Sequence, residues 1–335
     1  MVTLGNTGAQ VPNAVEEFFD RALLIRAVPN LVHGLFGRRG NLMPNMGSIV
    51  RWVRVESLKP ATTPLVEGVN PPGQNWDKTN VDAELEEFGD YTETSSLKTV
   101  TEQDVVLNSM VDAFGEQMGV TLDLVTRDKI VGGNSVVYAN NVAARVDVKT
   151  TVTYQDLDRL LMNLATGLAR PLTEFVPSSL DSVAEPIMPC FPCIVHSHLK
   201  PAIEAIVANG AGYVPVRKYA ANTTLMPGEF GSYGLLRFIE TTNAAVIPDA
   251  GGVAGGTLRS TTGAQADVYL ILALGREAFG TAPLENSVNT GMIIKTPEQV
   301  GGALNRYSTV GWVALYTCKI LNDAFMSRLE VAAKQ

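Results

Sequence analysis

Ile49-Val50-Arg51-Trp52-Val53-Arg54-Val55 and Val81-Asp82-Ala83-Glu84-Leu85-Glu86-Glu87-Phe88 bracket the stretch whose reading decides the fold. The first run is rich in β-branched residues, which suit a pleated surface. The second roughly alternates apolar and acidic residues, the period of a half-buried strand. Between them lies Leu58-Lys59-Pro60-Ala61-Thr62-Thr63-Pro64-Leu65-Val66-Glu67-Gly68-Val69-Asn70-Pro71-Pro72-Gly73, with four prolines and no helical period. Extended or polyproline-like backbone is its natural state. The whole reads as a two-stranded arm with a long tip. An isolated ribbon of this kind is marginal in water, so it calls for a packing partner, in its own chain or in a neighbouring copy.

Working outward, the 335 residues are enough for one large domain or two smaller ones around a sizeable core. Hydrophobic content of 46% with 18% charged residues excludes wholesale disorder. No apolar run reaches the roughly 20 residues that span a bilayer, and no basic segment followed by an apolar one marks a secretory signal. A net charge of −8 argues against nucleic acid as the main binding partner. The charge is uneven. Arg21, Arg26, Arg38, Arg39, Arg51, Arg54 and Lys59 make the first sixty residues basic, whereas Asp77, Asp82, Glu84, Glu86, Glu87, Asp90 and Glu93 make the returning arm acidic. Either the arm of one copy meets the basic region of another, or both are simply solvated faces. Cys190, Cys193 and Cys318 are too few for a disulfide framework and point to a reducing compartment.

Met1 to Gln10 reads as a loose tail, and Asn13 to Arg26 as a helix broken off by Gly34, Gly37 and Gly40. The strongest helical signal is Leu107, Met110, Val111, Phe114, Met118, Leu122 and Val125, with a capping-box-like start at Thr101-Glu102-Gln103-Asp104 and a stop at Gly132-Gly133. Thirty residues of helix, about 45 Å long, suit a scaffold spanning a flat subunit. Val146 to Thr153 reads as a strand, Tyr154 to Gly167 as a helix, and Pro171 to Pro189 as a proline-punctuated connector. Strands are expected at Cys193 to His196, Gly234 to Glu240, Val268 to Leu274 and Val310 to Ile320, with a short helix from Pro201 and an amphipathic close from Asn322 to Ala332. Helices and strands mix without βαβ alternation, which favours an α+β fold over a doubly wound sheet.

Several short phrases resemble a known family. They are Thr63-Pro64-Leu65-Val66-Glu67-Gly68-Val69, the following Tyr91, and Phe230-Gly231-Ser232-Tyr233-Gly234 running into Arg237-Phe238-Ile239-Glu240-Thr241. Val310-Gly311-Trp312 and Ile320-Leu321-Asn322 fit the same pattern. Together, and in the order of their elements, they resemble the major capsid proteins of tailed bacteriophages, of the N-four-like subgroup. The resemblance covers nearly the whole chain, although no single motif is decisive. It implies the Hong Kong 97-type fold: an N-terminal arm at 1–47, an extended loop at 48–98, a peripheral domain with the spine helix, closing strand and closing helix at 99–189 and 284–335, and an axial domain at 190–283. It further implies pentamers and hexamers of the chain in an icosahedral head around double-stranded DNA, without sequence-specific binding and without a membrane. The expected location is the virion, after assembly in the host cytoplasm. A portal, a separate scaffolding protein and a cement or decoration protein are the implied partners. Contacts between copies are expected at Arg51, Arg54, Pro64, Leu65, Glu67, Gly68, Glu84, Glu86, Glu87 and Tyr91, with Arg51 and Arg54 pairing to acids of a neighbour. No cross-link carries over to Lys59 or Lys78, since no motif places an acceptor. A nanocompartment shell of the same fold is the nearest alternative.

One cluster invites an enzymatic reading, Cys190-Phe191-Pro192-Cys193-Ile194-Val195-His196-Ser197-His198. Two thiols and two imidazoles would suit tetrahedral zinc, but on continuous extended backbone alternate side chains point to opposite faces. Cys-Phe-Pro-Cys also lacks the helix N-terminus that activates a redox thiol. Two ordinary cysteines in a buried strand are the better account, and neither cofactor nor metal is expected. Gly251 to Gly256 lacks the Lys-Ser/Thr of a phosphate loop and reads as a mobile surface loop. None of His33, His196 and His198 has a nucleophile beside it in sequence, and an exposed acidic arm is a poor place to tune a catalytic carboxylate.

Overall fold

The computed structural model describes residues 31–40, 47–55, 58, 60–65, 67–68, 70, 73–175, 185–206, 212–220, 223–283, 291–295, 297–300 and 306–335. The tail and helix expected before residue 31, Lys59 and Val66 lie outside these. In chain order the strands are β1 (Arg38–Arg39), β2 (Ile49–Val55), β3 (Lys78–Glu84), β4 (Glu86–Ser95), β5 (Val136–Tyr138), β6 (Leu172–Phe175), β7 (Glu185–His196) and β8 (Tyr213–Pro215). They continue with β9 (Glu229–Tyr233), β10 (Leu236–Thr241), β11 (Val246–Ile247), β12 (Val268–Leu274), β13 (Phe279–Pro283), β14 (Gly291–Lys295), β15 (Tyr307–Ile320) and β16 (Met326–Ala332). The longer helices are α1 (Ser96–Val131) and α2 (Tyr154–Thr166), with the short α3 (Lys200–Ala205) after β7. None of the described helices is long and apolar enough to cross a membrane.

The strands form two sheets and a ribbon. The smaller sheet runs β1-β13-β15-β14, with β4 also paired to β15. The larger runs β5-β16-β12-β7-β10-β9-β8, with β11 on β12 and β6 on β7. The ribbon is β2 with β3. Period-two burial in β15 explains the smaller sheet: Val310, Trp312, Ala314, Tyr316 and Cys318 are buried on one face, whereas Val313, Leu315 and Lys319 stay partly or fully exposed on the other. The buried face packs against α1 through Val111, Phe114, Met118 and Leu122. Trp312 Nε1 donates to Gln117 Oε1 at 3.0 Å, and the hydroxyls of Thr126 and Tyr316 lie 2.7 Å apart. The larger sheet is buried on both faces. Every residue of β12 is buried, and β7 divides its side chains between two cores, Cys190 and Ile194 on the spine side, Phe191, Cys193 and Val195 on the side of α2 and α3.

Five expectations need correction. The spine helix begins at Ser96, with Ser95 as its N-cap, rather than at Thr101; its 36 residues make it about 54 Å long. Val146 to Thr153 is not a strand: a 3-10 turn at Arg145–Asp147 leads into irregular backbone, and the β-branched Val148 and Val152 are buried as anchors. Pro171 to Pro189 is no mere connector, because β6 and the first half of β7 pair there. Pro186 and Pro189 are tolerated because this half of β7 is hydrogen-bonded only to β6, leaving an edge that needs no donor. The close after Asn322 is strand β16, not a helix: it lies between β12 and β5, and its polar members Ser327 and Glu330 are also buried. Glu330 is accepted there because Arg145 grips it with two bonds of 2.6 and 2.8 Å and Arg328 adds one of 3.1 Å. Finally, the glycine-rich loop is hydrogen-bonded structure: Gly251 N–H donates to Ala266 O and Gly252 N–H to Val148 O. A side chain at Gly251 would come within 2.5 Å of the Val148 carbonyl oxygen, which accounts for the glycine.

Candidate functional site

The ribbon pairs in strict antiparallel register from Ile49↔Glu84 to Val55↔Lys78. Alternation turns Val50 and Trp52 inward with Ala83, onto Ala282 of the smaller sheet and Leu321, while Ile49, Arg51 and Val53 face solvent. Trp52 is the anchor. Its indole lies against Gly40 and Gly280, and a Cβ built on either glycine would stand 2.8 Å from a ring carbon. Arg54 donates from Nη1 to Leu321 O at 3.1 Å, tying the same part of the ribbon to the body. Thus one end of the arm is docked on its own chain.

The other end is not. Pro64, Leu65, Glu67 and Gly68 are all exposed, Leu65 to 76%, and Gly68 turns the chain with φ of +80°. Trp76 is 56% exposed, and its face carries Lys78 Nζ at 4.0 Å. Leu65 and Trp76 are thus large apolar side chains left exposed on the described part of the arm.

The remaining expected contact residues divide by position. The acid expected to meet Arg51 from a neighbouring copy lies instead across its own ribbon: Arg51 bonds to Asp82 through Nε at 2.6 Å and Nη2 at 2.7 Å. The hydrogen bond from Arg51 holds the Asp82 carboxyl below its usual range and raises the guanidinium. Sequence could not show this partner, because the register across a long tip is set by the fold. Glu84 and Glu87 are exposed, and Glu86 stands 3.8 Å from Lys129 of the spine helix. Tyr91 is 66% exposed on the open face of the smaller sheet, beside a shallow groove of about 720 Å3 that Glu87 and Ile293 also line. Gly89 and Gly311 keep its floor flat, since a Cβ on either would lie 2.6 Å from a carbonyl of the facing strand.

A buried pair that sequence reasoning missed fastens the chain near its start to the spine helix. Asp123 accepts from the His33 and Val32 backbone N–H groups at 2.7 and 2.8 Å, while its other oxygen meets His33 Nδ1 at 2.9 Å. Asn243 adds a donor at 3.2 Å. Burial pushes the Asp123 carboxyl upward, but the His33 and backbone hydrogen bonds outweigh it and leave the group below its ordinary value. A histidine placed 90 positions from its partner carries no sequence signal.

The Cys/His stretch separates as its spacing predicts. Cys190 and Cys193 are buried in different cores, and burial raises the first thiol to about 11 and pushes the second up as well. The rings of His196 and His198 lie 4.4 Å apart and tilted by 49°, with His198 Nδ1 3.0 Å from the Tyr269 hydroxyl. Burial, then His198 and Arg259, lowers His196 to about 4. Among the described residues no group of three or more His, Cys, Asp or Glu is placed to hold a metal ion.

A docked-and-free arm, a long spine helix under a small sheet, and a larger two-faced sheet define the Hong Kong 97-type capsid fold. The head of Helicobacter pylori phage KHP40 superposes with a TM-score of 0.65 at 12% identity, covering 91% of this chain and 89% of that one. The capsid of Ralstonia phage GP4 gives 0.60 at 12% identity, covering 88% and 87%. An encapsulin, the SrpI complex of Synechococcus elongatus PCC 7942, gives 0.52 at 12% identity over 98% and 92%. No family model and no curated protein matches the sequence.

Proposed function

We propose that this chain is the major capsid protein of a tailed double-stranded DNA phage, a structural rather than catalytic subunit that self-assembles as pentamers and hexamers into the icosahedral head. The observation that carries the reading is the arm: its root is buried against its own body, while Leu65 and Trp76 at the tip are uncovered. A second copy is the natural cover. Each subunit then gives and receives an arm, and many modest contacts sum to a durable lattice. The net charge of −8 lets a genome be enclosed without adhering to the wall. On this reading the arm lies at 1–47, the extended loop at 48–98, the peripheral domain at 99–189 and 284–335, and the axial domain at 190–283, with β16 and β5 reaching across to pair into the larger sheet. The virion is the location, reached by assembly in the host cytoplasm, and a portal, a separate scaffolding protein and a cement protein are the expected partners.

Negative-stain microscopy of the purified chain tests this directly: closed shells support it, and a monomer at all concentrations refutes it. Deleting 59–75 is expected to leave soluble subunits that do not close. Reversing Glu84, Glu86 and Glu87 is expected to weaken assembly and change its salt dependence; unchanged assembly would make those acids plain solvated charges. The encapsulin likeness keeps a second reading in view, a compartment enclosing protein cargo. Particles from the native source that hold nucleic acid favour the phage head, and particles holding a single enzyme favour the compartment.

A further inference from the structure

One carboxylate joins three parts of the chain that lie far apart in sequence. Asp123 of α1 and His33 are both 0% exposed. Asp123 Oδ1 accepts the Val32 and His33 backbone N–H groups, and Oδ2 is shared between His33 Nδ1 at 2.9 Å and Asn243 Nδ2 at 3.2 Å. Asn243 lies in the turn between β10 and β11, so this last donor comes from the larger sheet. One helical turn further along α1, Arg127 Nη1 donates to the Asn243 carbonyl at 3.0 Å. Ala244 beside it is buried in the same core as Phe36, and Ala245 in the other core. Among the described residues, three donors to the carboxylate come from segment 31–36 and one from the turn. Were the segment to leave, a buried carboxylate would keep a single donor. Such a charge is costly out of water unless its oxygens are satisfied, so the side chain would turn toward solvent and abandon Asn243 as well.

We propose that Asp123 is an interlock: docking of segment 31–36 and ordering of the 241–245 turn are one cooperative event, so that a displacement near the start of the chain is felt in the larger sheet. The two parts share an oxygen atom, and neither can leave without stripping donors from the group that holds the other. Packing is a weaker link between them, because Phe36 and Ala244 sit in a core that many other residues fill. The two states are the segment docked with the turn ordered, and the segment released with the turn loosened; the carboxylate biases both elements toward the first. The device is a property of the single subunit. It does not depend on the shell reading, and the two can fail separately.

Amide hydrogen exchange on the dissociated full-length subunit tests it from both sides. His33→Leu removes one donor and is expected to speed exchange about tenfold in the 241–245 turn as well as in 31–36, while β15 keeps its protection. Asn243→Ala is expected to speed exchange in 31–36, although Asn243 lies some 210 positions away. His33→Asn, whose amide can stand where Nδ1 stands, should bring the turn back to within about threefold of wild type. In the double variant His33→Leu with Asn243→Ala, the two accelerations at 31–36 should fall short of their product. Acceleration confined to the element that carries each change overturns the proposal, and so does a full product in the double variant. A turn no better protected in His33→Asn than in His33→Leu also overturns it, because the link would then be packing. If His33→Leu loosens the whole body, β15 included, Asn243→Ala decides alone: wild-type rates in 31–36 refute the interlock.

Discussion

Replacing Trp52 by alanine should free the arm without unfolding the body. The indole is 5% exposed, and with Val50, Ala83, Ala282 and Leu321 it makes up the small cluster that docks the ribbon. Large-to-small changes at buried tryptophans cost about 3–5 kcal/mol, transfer and cavity included. Gly40 and Gly280 wall the slot with backbone, and a loss within that range is expected here. A two-stranded ribbon holds little stability of its own, so a loss of this size exceeds what keeps it docked. Amide hydrogen exchange on the dissociated subunit reads the outcome. Amides of β2 and β3 should exchange about a hundredfold faster or more, at about 1.4 kcal/mol per tenfold. Those of β12, central in the larger sheet, should keep their protection. Uniform acceleration across both sheets would show that the arm and body unfold as one unit. No acceleration would show that Trp52 is not the anchor. Either result refutes the reasoning.

Two further predictions concern the buried groups. Asp123→Asn removes one member of a buried pair and should cost about 3–5 kcal/mol. Because the folded Asp123 carboxyl lies below its unfolded value, its contribution is full above about pH 4 and is lost as pH falls through the folded value. Thermal melts should therefore fall more steeply in acid for the wild type than for the variant, and parallel curves would contradict the pairing. The thiols of Cys190, Cys193 and Cys318 are buried, with Cys190 raised to about 11 and Cys318 to about 12 chiefly by burial. A thiol reagent at pH 8 should find none of them in the native chain and all three in denaturant; a fast native thiol would count against the burial.

What could be read from sequence was what depends on local pattern. The β12 strand is uniformly apolar and bounded by breakers, the α1 stripe keeps a three-and-four spacing, and the described residues from 60 to 65, with Pro60 and Pro64, form neither helix nor strand. Elements whose character comes from distant partners were not legible. Residues 326–332 mix apolar side chains with Ser327, Arg328 and Glu330, a mixture that reads as amphipathic until Arg145, some 185 positions away, is placed on Glu330. Val148 and Val152 have strand propensity but meet no strand. At the arm, a proline-rich tip, a charged returning strand and the family resemblance mark the candidate contacts in sequence, and contact between copies there is a proposal. The partner of Arg51 is not legible, since its register with Asp82 exists only once the ribbon folds.

The place of β16 bears on how the larger sheet holds together. The strand sits between β5 and β12, joining pieces of chain some 130 residues apart in sequence. Without Met326–Ala332, β5 and one edge of β12 lose their neighbour in the sheet, and the two pieces are no longer zipped to one another. Truncation before Met326 is accordingly expected to give an aggregating product in pellet assays rather than a smaller soluble one.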